Sequence, residues 1–298
     1  MKKIGLFENS TKPEAFIYAE KAAAILIAKG AECCASEELL NSFPEELSKR
    51  IKCLPTNEFD KFADIVLSFG GDGTMLSAAR LLIKKDIPIM GINVGRLGFL
   101  AEFSINDLEQ SIDQLLTGNY RVVDRVVFET ELNGETIYAL NDFVVEKKGS
   151  SRMLTVAAFA NEHLVANYRA DGLIISTPTG STAYSLSCGG PVIVPSTEVI
   201  CITPISPHSM TLRPLVLPDT IEIKIKVNSH TGVANLACDG QHNFDLLNGE
   251  EIIIRKSKQR VKMIKPLNSS YYDLLRDKLL WAANAIEHEV KTIPGHQA

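Results

Sequence analysis

The sequence ADIVLSFGGDGT at residues 63–74 decides how the first half of the chain folds. Its first seven residues form an apolar run typical of a buried strand, and residues 74–85 have the pattern of a helix. Three glycines in four positions let the backbone turn tightly and bring its N–H groups close to a ligand. A strand, a glycine-rich turn and a helix in this order predict one unit of a parallel α/β sheet.

The segments around this stretch repeat the alternation of strand and helix. Strands are predicted at residues 3–7 and 87–94, and helices at residues 13–30 and 106–116. Short β-branched strands separated by helices predict a parallel, Rossmann-like sheet covered on both faces. We expect this α/β domain to occupy residues 1–120.

From about residue 121 the pattern changes to strands at short spacing. Apolar runs typical of strands lie at residues 143–145, 153–160, 173–175, 199–203 and 252–255, and residues 221–227 alternate strictly between apolar and charged. The dipeptides Asn133-Gly134 and Asn248-Gly249 predict hairpin turns. We therefore predict an all-β, sandwich-like domain at residues 121–268. A C-terminal helix is expected within residues 269–298, beginning at a Ser270 cap, with Leu274, Leu275 and Trp281 on its apolar face and packing back on the N-terminal domain.

Composition limits the classes of function. The chain has 298 residues, with 36 acidic and 31 basic side chains and a formal net charge of -5. This acidic excess argues against a dedicated nucleic-acid-binding protein. No apolar run approaches the roughly 20 residues that span a bilayer, so we expect no membrane partner. The six cysteines include no Cys-x-x-Cys pair, which is typical of reduced thiols and predicts a cytoplasmic protein.

The glycine turn is the first candidate site. A helix that starts directly after it adds a partial positive charge suited to phosphate. Asp72 places a carboxylate there that can accept a proton or hold a metal ion. The alternative is a structural turn in which Asp72 caps the helix. The turn matches neither the Walker loop nor the complete dinucleotide fingerprint, and the protein-kinase motifs are absent.

Three further polar segments are candidate sites. Asn141 and Asp142 interrupt an apolar run, where polar side chains cost free energy unless they are paired; a strand-end turn is the alternative. The sequence TPTGSTAYSLS at residues 177–187 offers hydroxyls and bare amides to phosphates, sugar hydroxyls or a purine edge, or it is a plain Ser/Thr loop. The sequence DGQ at residues 239–241 is by itself typical of a hairpin turn.

Together and in this order, these segments resemble the NAD kinase family. The motifs are GGDGT at residues 70–74, Asn141-Asp142, TPTGSTAYS at 177–185 and DGQ at 239–241, with GINVGRLGFL at 91–100 and PISPH at 204–208. The resemblance spans roughly residues 60–245. The GGDGT turn alone is shared with diacylglycerol-type lipid kinases, whereas the loop at residues 177–187 is much more specific.

The resemblance implies transfer of the terminal phosphoryl group of ATP to the 2′-hydroxyl of the adenosine ribose of NAD, giving NADP. It also implies a divalent metal ion, usually Mg²⁺, and a homodimer or homotetramer. By the family's pattern Asp72 is catalytic and accepts the proton of the 2′-hydroxyl. The residues expected to bind NAD are Asp72, Gly73, Asn141, Asp142, Arg152, Arg169, Asp171, Thr182, Ala183, Tyr184, Ser185, Leu186, Ser187 and Gln241. The family often has Glu at the position of Asp142, so this carboxylate is one methylene shorter.

Two other functions stay open at this point. A lipid kinase shares the GGDGT turn, but it needs a membrane-facing element, and the chain has no clear basic amphipathic helix. The cationic residues between Arg255 and Lys265 fall on a predicted hairpin, where a solvated face is the ordinary interpretation. A non-catalytic dinucleotide-binding protein is the third possibility, although such a protein has no need of Asp72 in an intact loop.

Overall fold

The structure, a computed structural model, describes residues 1–8, 13–95, 98–149 and 151–281. The helices are α1 (Pro13–Ala28), α2 (Glu37–Asn41), α3 (Glu45–Ser48), α4 (Asp72–Leu82), α5 (Leu108–Thr117), α6 (Tyr184–Ser187) and α7 (Tyr271–Leu279). The strands are β1 (Lys3–Glu8), β2 (Glu32–Ala35), β3 (Lys52–Cys53), β4 (Ile65–Gly70), β5 (Ile89–Asn93), β6 (Phe103–Ser104), β7 (Tyr120–Leu132), β8 (Glu135–Ala139), β9 (Asp142–Lys147), β10 (Leu154–Ala160), β11 (His163–Ala170), β12 (Gly172–Ser176), β13 (Val199–Ile205), β14 (Leu215–Pro218), β15 (Ile223–Asn228), β16 (Val233–Cys238), β17 (His242–Leu247) and β18 (Glu251–Pro266). Across these residues no helix is long and apolar enough to cross a membrane.

The described strands form two sheets. The larger sheet has the order β11-β10-β15-β18-β5-β4-β1-β2-β3, with β6 beside β5, and with β7 on β18 and β8 on β7. Its part from β5 to β3 is parallel, whereas the strands from β11 to β18 pair antiparallel. The smaller sheet, β14-β13-β12-β9-β16-β17, is antiparallel throughout. The predicted α/β half and β-sandwich-like half are therefore confirmed.

The parallel part of the larger sheet is buried on both faces. All six residues of β4 are buried, as a continuous apolar run requires. Leu67 packs with Ala19 of α1 and Ile112 of α5 on one face. Val66 packs with Met75 of α4 on the other face. This two-sided burial follows from the alternation of side chains along a strand and confirms the layered arrangement predicted for the first half.

A second core lies between the two sheets. Phe143 and Ile175 of the smaller sheet pack with Val156, Ile225 and Ile254 of the larger one. Strand β15, which the alternating pattern predicted, buries every second residue and turns its charged residues away from this core. The sandwich forms because each sheet has one apolar face to remove from water.

Strand β18 belongs to both halves of the molecule. Its first residues pair antiparallel with β15, and its later residues pair with β7. Met263 and Ile264 run parallel to β5. The hairpin predicted over the cationic residues is wrong, because they lie on one continuous strand whose register shifts between Lys256 and Arg260. Lys265 is not solvated: its side chain is 1% exposed and pairs with Glu102 at 2.6 Å.

Two predicted turns and the predicted start of helix α4 can be compared with the structure. Asn133 and Gly134 have φ of 52° and 79° and join the paired strands β7 and β8, so that hairpin is confirmed. Asn248-Gly249 is not a hairpin turn, because it passes the chain from β17 in the smaller sheet to β18 in the larger one. Helix α4 begins at Asp72, two residues earlier than predicted, with Gly71 as its N-cap.

The C-terminal helix starts as predicted, since the Ser270 hydroxyl accepts the N–H of Tyr272 at 3.2 Å. Leu274 and Leu275 are buried, whereas Trp281 is 49% exposed. The part of the predicted helix beyond residue 281 lies outside the described residues, as do Arg96 and Leu97 of the GINVGRLGFL stretch. The domain limits at residues 120 and 268 stay predictions.

Candidate active site

The carboxylate of Asp72 is fixed by the segment that follows β5. Its Oδ1 accepts the N–H groups of Leu100 at 2.9 Å and Ala101 at 3.3 Å, and its Oδ2 accepts that of Phe99 at 2.9 Å. A carboxylate has about four lone-pair positions, two on each oxygen. Oδ1 therefore has both positions filled, and Oδ2 keeps one free acceptor position. A Cβ at Gly98 would overlap Oδ1, which explains the glycine there.

Gly73 links α4 to the smaller sheet. Its carbonyl oxygen accepts the side-chain N–H of Gln241 at 2.8 Å and the hydroxyl of Ser77 at 3.2 Å. The side-chain oxygen of Gln241 accepts from Ser77 at 3.2 Å and also from Arg80. The two predicted NAD-binding residues Gly73 and Gln241 are thus in direct contact, although they are far apart in sequence. Ser77 and Arg80 were not among the predicted site residues.

The turn between β16 and β17 organises a second part of the site. Asp239 and Gly240 have φ of 51° and 64°, which makes the predicted hairpin turn. The Asp239 carboxylate accepts the backbone N–H groups of Leu140, Asn141 and Asp142 at 3.1, 2.7 and 3.2 Å. Sequence reasoning missed this role, because an aspartate in a hairpin turn is already explained by the turn.

The segment at residues 177–187, called the hydroxyl-rich loop below, packs directly on the start of β9. The carbonyl of Asn141 accepts the N–H of Thr177 at 2.8 Å, and the Thr177 hydroxyl donates to the carbonyl of Leu140 at 2.6 Å. A Cβ at Gly180 would overlap the backbone carbonyl of Asn141. The residue at 180 must therefore be glycine for this approach. The loop and the Asn141-Asp142 pair, two separate motifs in the sequence, form one structural unit.

Asp142 has a strongly altered acidity. It is 4% exposed, and burial, with a smaller contribution from the charge of Asp239, raises its pKa to about 7. Burial also raises the pKa of Asp239, opposed by the three backbone N–H groups that it accepts. At neutral pH the Asp142 carboxyl is therefore divided between its protonated and ionised forms, and it is able either to donate or to accept a hydrogen bond.

Two cavities lie next to these residues. A smaller cavity of about 310 Å³ is lined by the turn at Asp239, by Asn141 and Asp142, and by Ala183 and Tyr184 of the hydroxyl-rich loop. A larger cavity of about 620 Å³ is lined by several segments, including residues Phe99, Leu100, Arg121, Arg125, Thr179, Thr182 and Tyr271. Both volumes are within the range of small-molecule sites.

The other predicted site residues are distributed more widely. Ser185 is fully buried, and its hydroxyl is 2.8 Å from that of Thr203. Arg152 bonds to the side chain of His230, and Asp171 pairs with Lys147 at 2.6 Å. Arg169 is exposed on β11. Leu186 and Ser187 lie on α6 beside Tyr184. None of these six predicted residues lines either of the two cavities.

The described residues do not build a metal cage. Within residues 1–8, 13–95, 98–149 and 151–281, no group of three or more His, Cys, Asp or Glu side chains is arranged to hold a metal ion. Asp72 keeps a single acceptor position free on Oδ2, which is too few to hold a cation by protein ligands alone. This donor set fits a cation that is held mainly by the phosphates of a substrate and by water, which is how Mg²⁺ is commonly bound at nucleotide sites.

A carboxylate fixed at the start of a helix directly after a glycine turn, with its partners Phe99 and Leu100 lining a nucleotide-sized cavity, is typical of a nucleotide-dependent phosphotransferase, here with an α/β half and a β-sandwich half. Family models narrow this class. The ATP-NAD kinase N-terminal domain matches residues 4–120, and the ATP-NAD kinase C-terminal domain matches residues 140–266. The chain belongs to the ATP-NAD kinase family.

Individual relatives agree with this assignment. The chain is 38% identical to an NAD kinase of Bacteroides fragilis over 290 residues, covering 95% of this chain and 99% of the relative. It is 46% identical to an NAD kinase of Prosthecochloris aestuarii over 228 residues, covering 75% and 79%. A crystal structure of an Archaeoglobus fulgidus NAD kinase in complex with ATP matches with a TM-score of 0.77 at 25% identity, covering 93% of this chain and 98% of that one. The fold also matches yeast NADH kinase complexed with NADH, with a TM-score of 0.86 at 22% identity, covering 95% and 89%.

Proposed function

We propose that the protein is an ATP-dependent NAD kinase, which transfers the terminal phosphoryl group of ATP to the 2′-hydroxyl of the adenosine ribose of NAD. The observation that carries this proposal is the Asp72 carboxylate, held by three backbone N–H groups with one acceptor position left free on Oδ2. The relatives that this chain matches over most of their length are NAD kinases. They favour neither a lipid kinase nor a non-catalytic dinucleotide-binding protein.

In the reaction, the O2′ oxygen of NAD forms a bond to the γ-phosphorus of ATP. The bond from that phosphorus to the oxygen of the β-phosphate breaks, and ADP leaves with the electron pair. The O2′ proton passes to the free position on Asp72 Oδ2 and then to solvent. Because the transition state of phosphoryl transfer is loose, the chain contributes mainly alignment and charge stabilisation. The amides that fix Asp72 supply the alignment.

The positive end of α4 supports the same chemistry. Asp72 and Gly73 are its first two residues, and the N–H groups at the start of a helix carry the partial positive charge that favours a phosphate. A divalent cation, which we propose to be Mg²⁺, would enter with the nucleotide rather than in a cage of side chains, and it would neutralise phosphate charge. The chain's own part is to orient O2′ and accept its proton.

We assign the smaller cavity to the adenosine part of NAD. Tyr184 and Ala183 line it together with Asn141 and Asp142. The adenine ring can therefore contact an aromatic side chain, and the ribose hydroxyls can bond to polar groups. Gln241 follows the turn at Asp239 and Gly240 that lines this cavity, and we assign Gln241 and Gly73, which contact each other, to the same ligand; Thr182 lines the larger cavity. Asp142 has the shorter carboxylate, and its depth in the structure suits a hydroxyl contact in either protonation state.

We further propose that the protein is a homodimer or homotetramer. Arg152, Arg169 and Asp171 lie outside both cavities, so their predicted contact with NAD is best met at the site of a neighbouring copy. Size-exclusion chromatography followed by light scattering measures the oligomeric state of the purified protein. If the protein is a monomer at the concentration used in the assay while it makes NADP, this assembly is excluded.

We propose the cytoplasm as the location. All six cysteines are free thiols, which is typical of a reducing compartment. Fractionation of the source cells, with the protein followed by an antibody, tests this location; recovery in the membrane or extracellular fraction would contradict it.

The activity is tested by incubating the purified protein with ATP, MgCl₂ and NAD and measuring NADP with an NADP-specific dehydrogenase. A parallel reaction contains diacylglycerol vesicles instead of NAD, and a third contains EDTA. We expect NADP only with NAD and free Mg²⁺. Phosphorylated lipid, or no NADP with any nucleoside triphosphate or metal ion supplied, would reject the proposed function.

A further inference from the structure

A third cavity, of about 340 Å³, lies at the C-terminal end of α4 and shares no lining residue with the two cavities described above. It is bounded by the last turn of α4 and the residues that follow it, by β8, and by β16 and β17. Helix α4 starts at Asp72 and reaches this cavity at Arg80, about two turns later. The volume is within the range of small-molecule sites.

The charged side chains that line this cavity are three cations, Arg80, Lys84 and Lys85, and no carboxylate lines it. Lys85 pairs with Asp60 at 3.0 Å. Within the described chain neither Arg80 nor Lys84 forms an ion pair. The buried carboxylate of Asp239 interacts electrostatically with Arg80, but it accepts three backbone N–H groups and lines the smaller cavity instead. The wall of the third cavity therefore carries positive charge that no anion on it balances.

Arg80 has an N–H group without an acceptor. One of its terminal N–H groups donates to the side-chain oxygen of Gln241, whereas its Nε is buried and has no hydrogen-bond partner within the described chain. Buried polar groups are ordinarily paired, so the unpaired Nε indicates a missing acceptor. The planar guanidinium matches a carboxylate or a phosphate, each of which accepts two parallel N–H groups.

Apolar side chains form much of the remaining wall. Ile137 and Phe244 line the cavity and also pack against the core between the two sheets. Tyr138 lines it as well, and the Lys84 ammonium lies 5.3 Å from the centre of its ring. Cations beside apolar surface favour an anion that has an apolar body over a hydrated inorganic ion, because such a body removes that surface from water.

We propose that the third cavity binds a small organic anion and that its occupancy favours the binding of NAD. The phosphate or carboxylate group of this anion lies at Arg80 and Lys84, and its apolar body lies against Ile137 and Phe244. The anion site stands on the described contacts alone, whereas its coupling to NAD rests on the proposed function.

Arg80 provides the coupling, because it belongs to the wall of the third cavity and also holds a residue assigned to NAD. It donates to Gln241, and Gln241 donates to the carbonyl oxygen of Gly73 at 2.8 Å. An anion on the unpaired N–H of Arg80 fixes this side chain and, through it, Gln241. NAD then binds to a site that is already ordered, and it loses less conformational entropy of the protein on binding.

The anion site is tested by saturation-transfer NMR with phenyl phosphate as the probe, which has a dianionic phosphate and one aromatic ring. Each titration contains saturating NAD and the β,γ-imido analogue of ATP with MgCl₂, so that the substrate sites are occupied. We expect phenyl phosphate to bind the wild-type chain, and to bind Lys84→Gln about tenfold more weakly, since a hydrogen bond between charged groups is lost. Inorganic phosphate and benzyl alcohol should displace the probe only at higher concentrations.

The matched control is Lys52→Gln. Lys52 is also an exposed lysine over an aromatic ring, with its ammonium 4.8 Å from the centre of Phe62, but it lies on β3, away from this cavity. Lys52→Gln should bind phenyl phosphate as the wild type does. Failure of the wild-type chain to bind phenyl phosphate, equal binding by Lys84→Gln, or displacement by an equal concentration of inorganic phosphate would overturn the anion site.

The coupling is tested by KM for NAD, measured with and without phenyl phosphate. We expect KM to fall about threefold in the wild type and in Lys52→Gln, and to change much less in Lys84→Gln, because the two ligands are linked only through the occupied site. Binding of phenyl phosphate with an unchanged or raised KM for NAD would overturn the coupling. If the chain makes no NADP but binds phenyl phosphate in a way that depends on Lys84, the proposed function fails and the anion site stands.

Discussion

Asp72 illustrates how much of a site is visible in a single residue. Its presence in a glycine turn predicts a carboxylate near phosphates, and the structure places it at the first position of α4. The three N–H groups that hold it come from Phe99, Leu100 and Ala101, about thirty residues later in the chain. No local pattern marks that pairing, because the contact depends on how the segment after β5 folds back over the turn.

Replacement of Asp72 by Asn should reduce kcat by at least about 10²-fold, the lower end of the range for a positioned acid or base. The amide cannot take the O2′ proton, but the two cavities keep their shape, so the affinity for NAD should stay within a few-fold of wild type. Steady-state rates and equilibrium binding of NAD measure the two effects. Asp64→Asn, an exposed carboxylate outside the site, serves as the control, and near-normal turnover of the Asp72 variant would remove Asp72 from the mechanism.

Asp142 makes stability depend on pH. Its pKa is raised from the ordinary 3.8 to about 7, so between these pH values the folded protein binds more protons than the unfolded chain, and the free energy of unfolding falls as pH rises. Asp142→Asn removes this loss. The Tm of the variant minus that of the wild type should therefore be several degrees larger at pH 8 than at pH 5, since about 1 kcal/mol corresponds to roughly 2–4 °C.

Scanning calorimetry over this pH range provides the measurement. Glu8→Gln is the parallel variant, because burial also raises the pKa of Glu8 to about 7, and its Tm difference should grow with pH in the same direction. NAD affinity should be unchanged in Glu8→Gln. If the Tm difference between Asp142→Asn and the wild type is constant from pH 5 to pH 8, the pKa of the buried Asp142 carboxyl is not raised.

At the scale of elements, sequence patterns predict those strands whose apolar residues form a long run or alternate regularly. The buried runs of β1, β4 and β5 and the alternating β15 are confirmed, because each is determined by its own burial pattern. Strands β3 and β14 were not predicted, since β3 has two exposed residues and β14 alternates between partly buried and exposed ones. Such strands are determined by the ladder of the neighbouring strand rather than by their own residues.

The same limit applies to the site. The four motifs were found because their composition is unusual, but no local signal shows that the Asp239 carboxylate binds the backbone at the start of β9. An aspartate at this position is already explained by the hairpin turn. The role of Asp239 arises when β16 comes beside β9, and this pairing cannot be read from one sequence.

The contact between the hydroxyl-rich loop and β9 can be tested at Gly180. In Gly180→Ala, the new Cβ would lie 2.7 Å from the Asn141 Cα, and the neighbour is backbone that cannot move aside. We expect the variant to lose about 1–3 kcal/mol of stability, as for other overpacked sites, and to lose NAD affinity as well. The stability control is Gly73→Ala, whose Cβ would be 3.9 Å from Gln241 Nε2, an ordinary van der Waals contact. Equal Tm values for Gly180→Ala and wild type would show that the loop is not packed this closely.

At the scale of the whole molecule, the buried Lys265–Glu102 pair fastens β18 to the segment that holds Asp72. The Lys265 ammonium also donates to the carbonyl of Leu100 at 2.8 Å. Lys265→Met should lower the free energy of unfolding by about 3–5 kcal/mol, because it leaves a buried carboxylate without its partner. Glu102→Gln combined with Lys265→Met should recover a large part of this loss.

Urea denaturation of the wild type, both single variants and the double variant forms a complete cycle. The expected result is a double variant more stable than Lys265→Met alone. Additive losses would mean that the two side chains do not interact in the folded protein.

The position of strand β18 in the chain also affects how the protein folds during its synthesis. Met263 and Ile264 complete the sheet at β5, but they follow β5 by about 170 residues, which a ribosome adds in roughly 9–35 s at about 5–20 residues per second. Throughout that interval the edge of β5 at Ile89 and Met90 has no neighbouring strand from the α/β half, because β6 covers only Ile92 and Asn93, and open edges are templates for pairing with other chains. The first half of this chain is therefore not an independent unit of folding, because the strand that completes its sheet lies about 170 residues further along the chain.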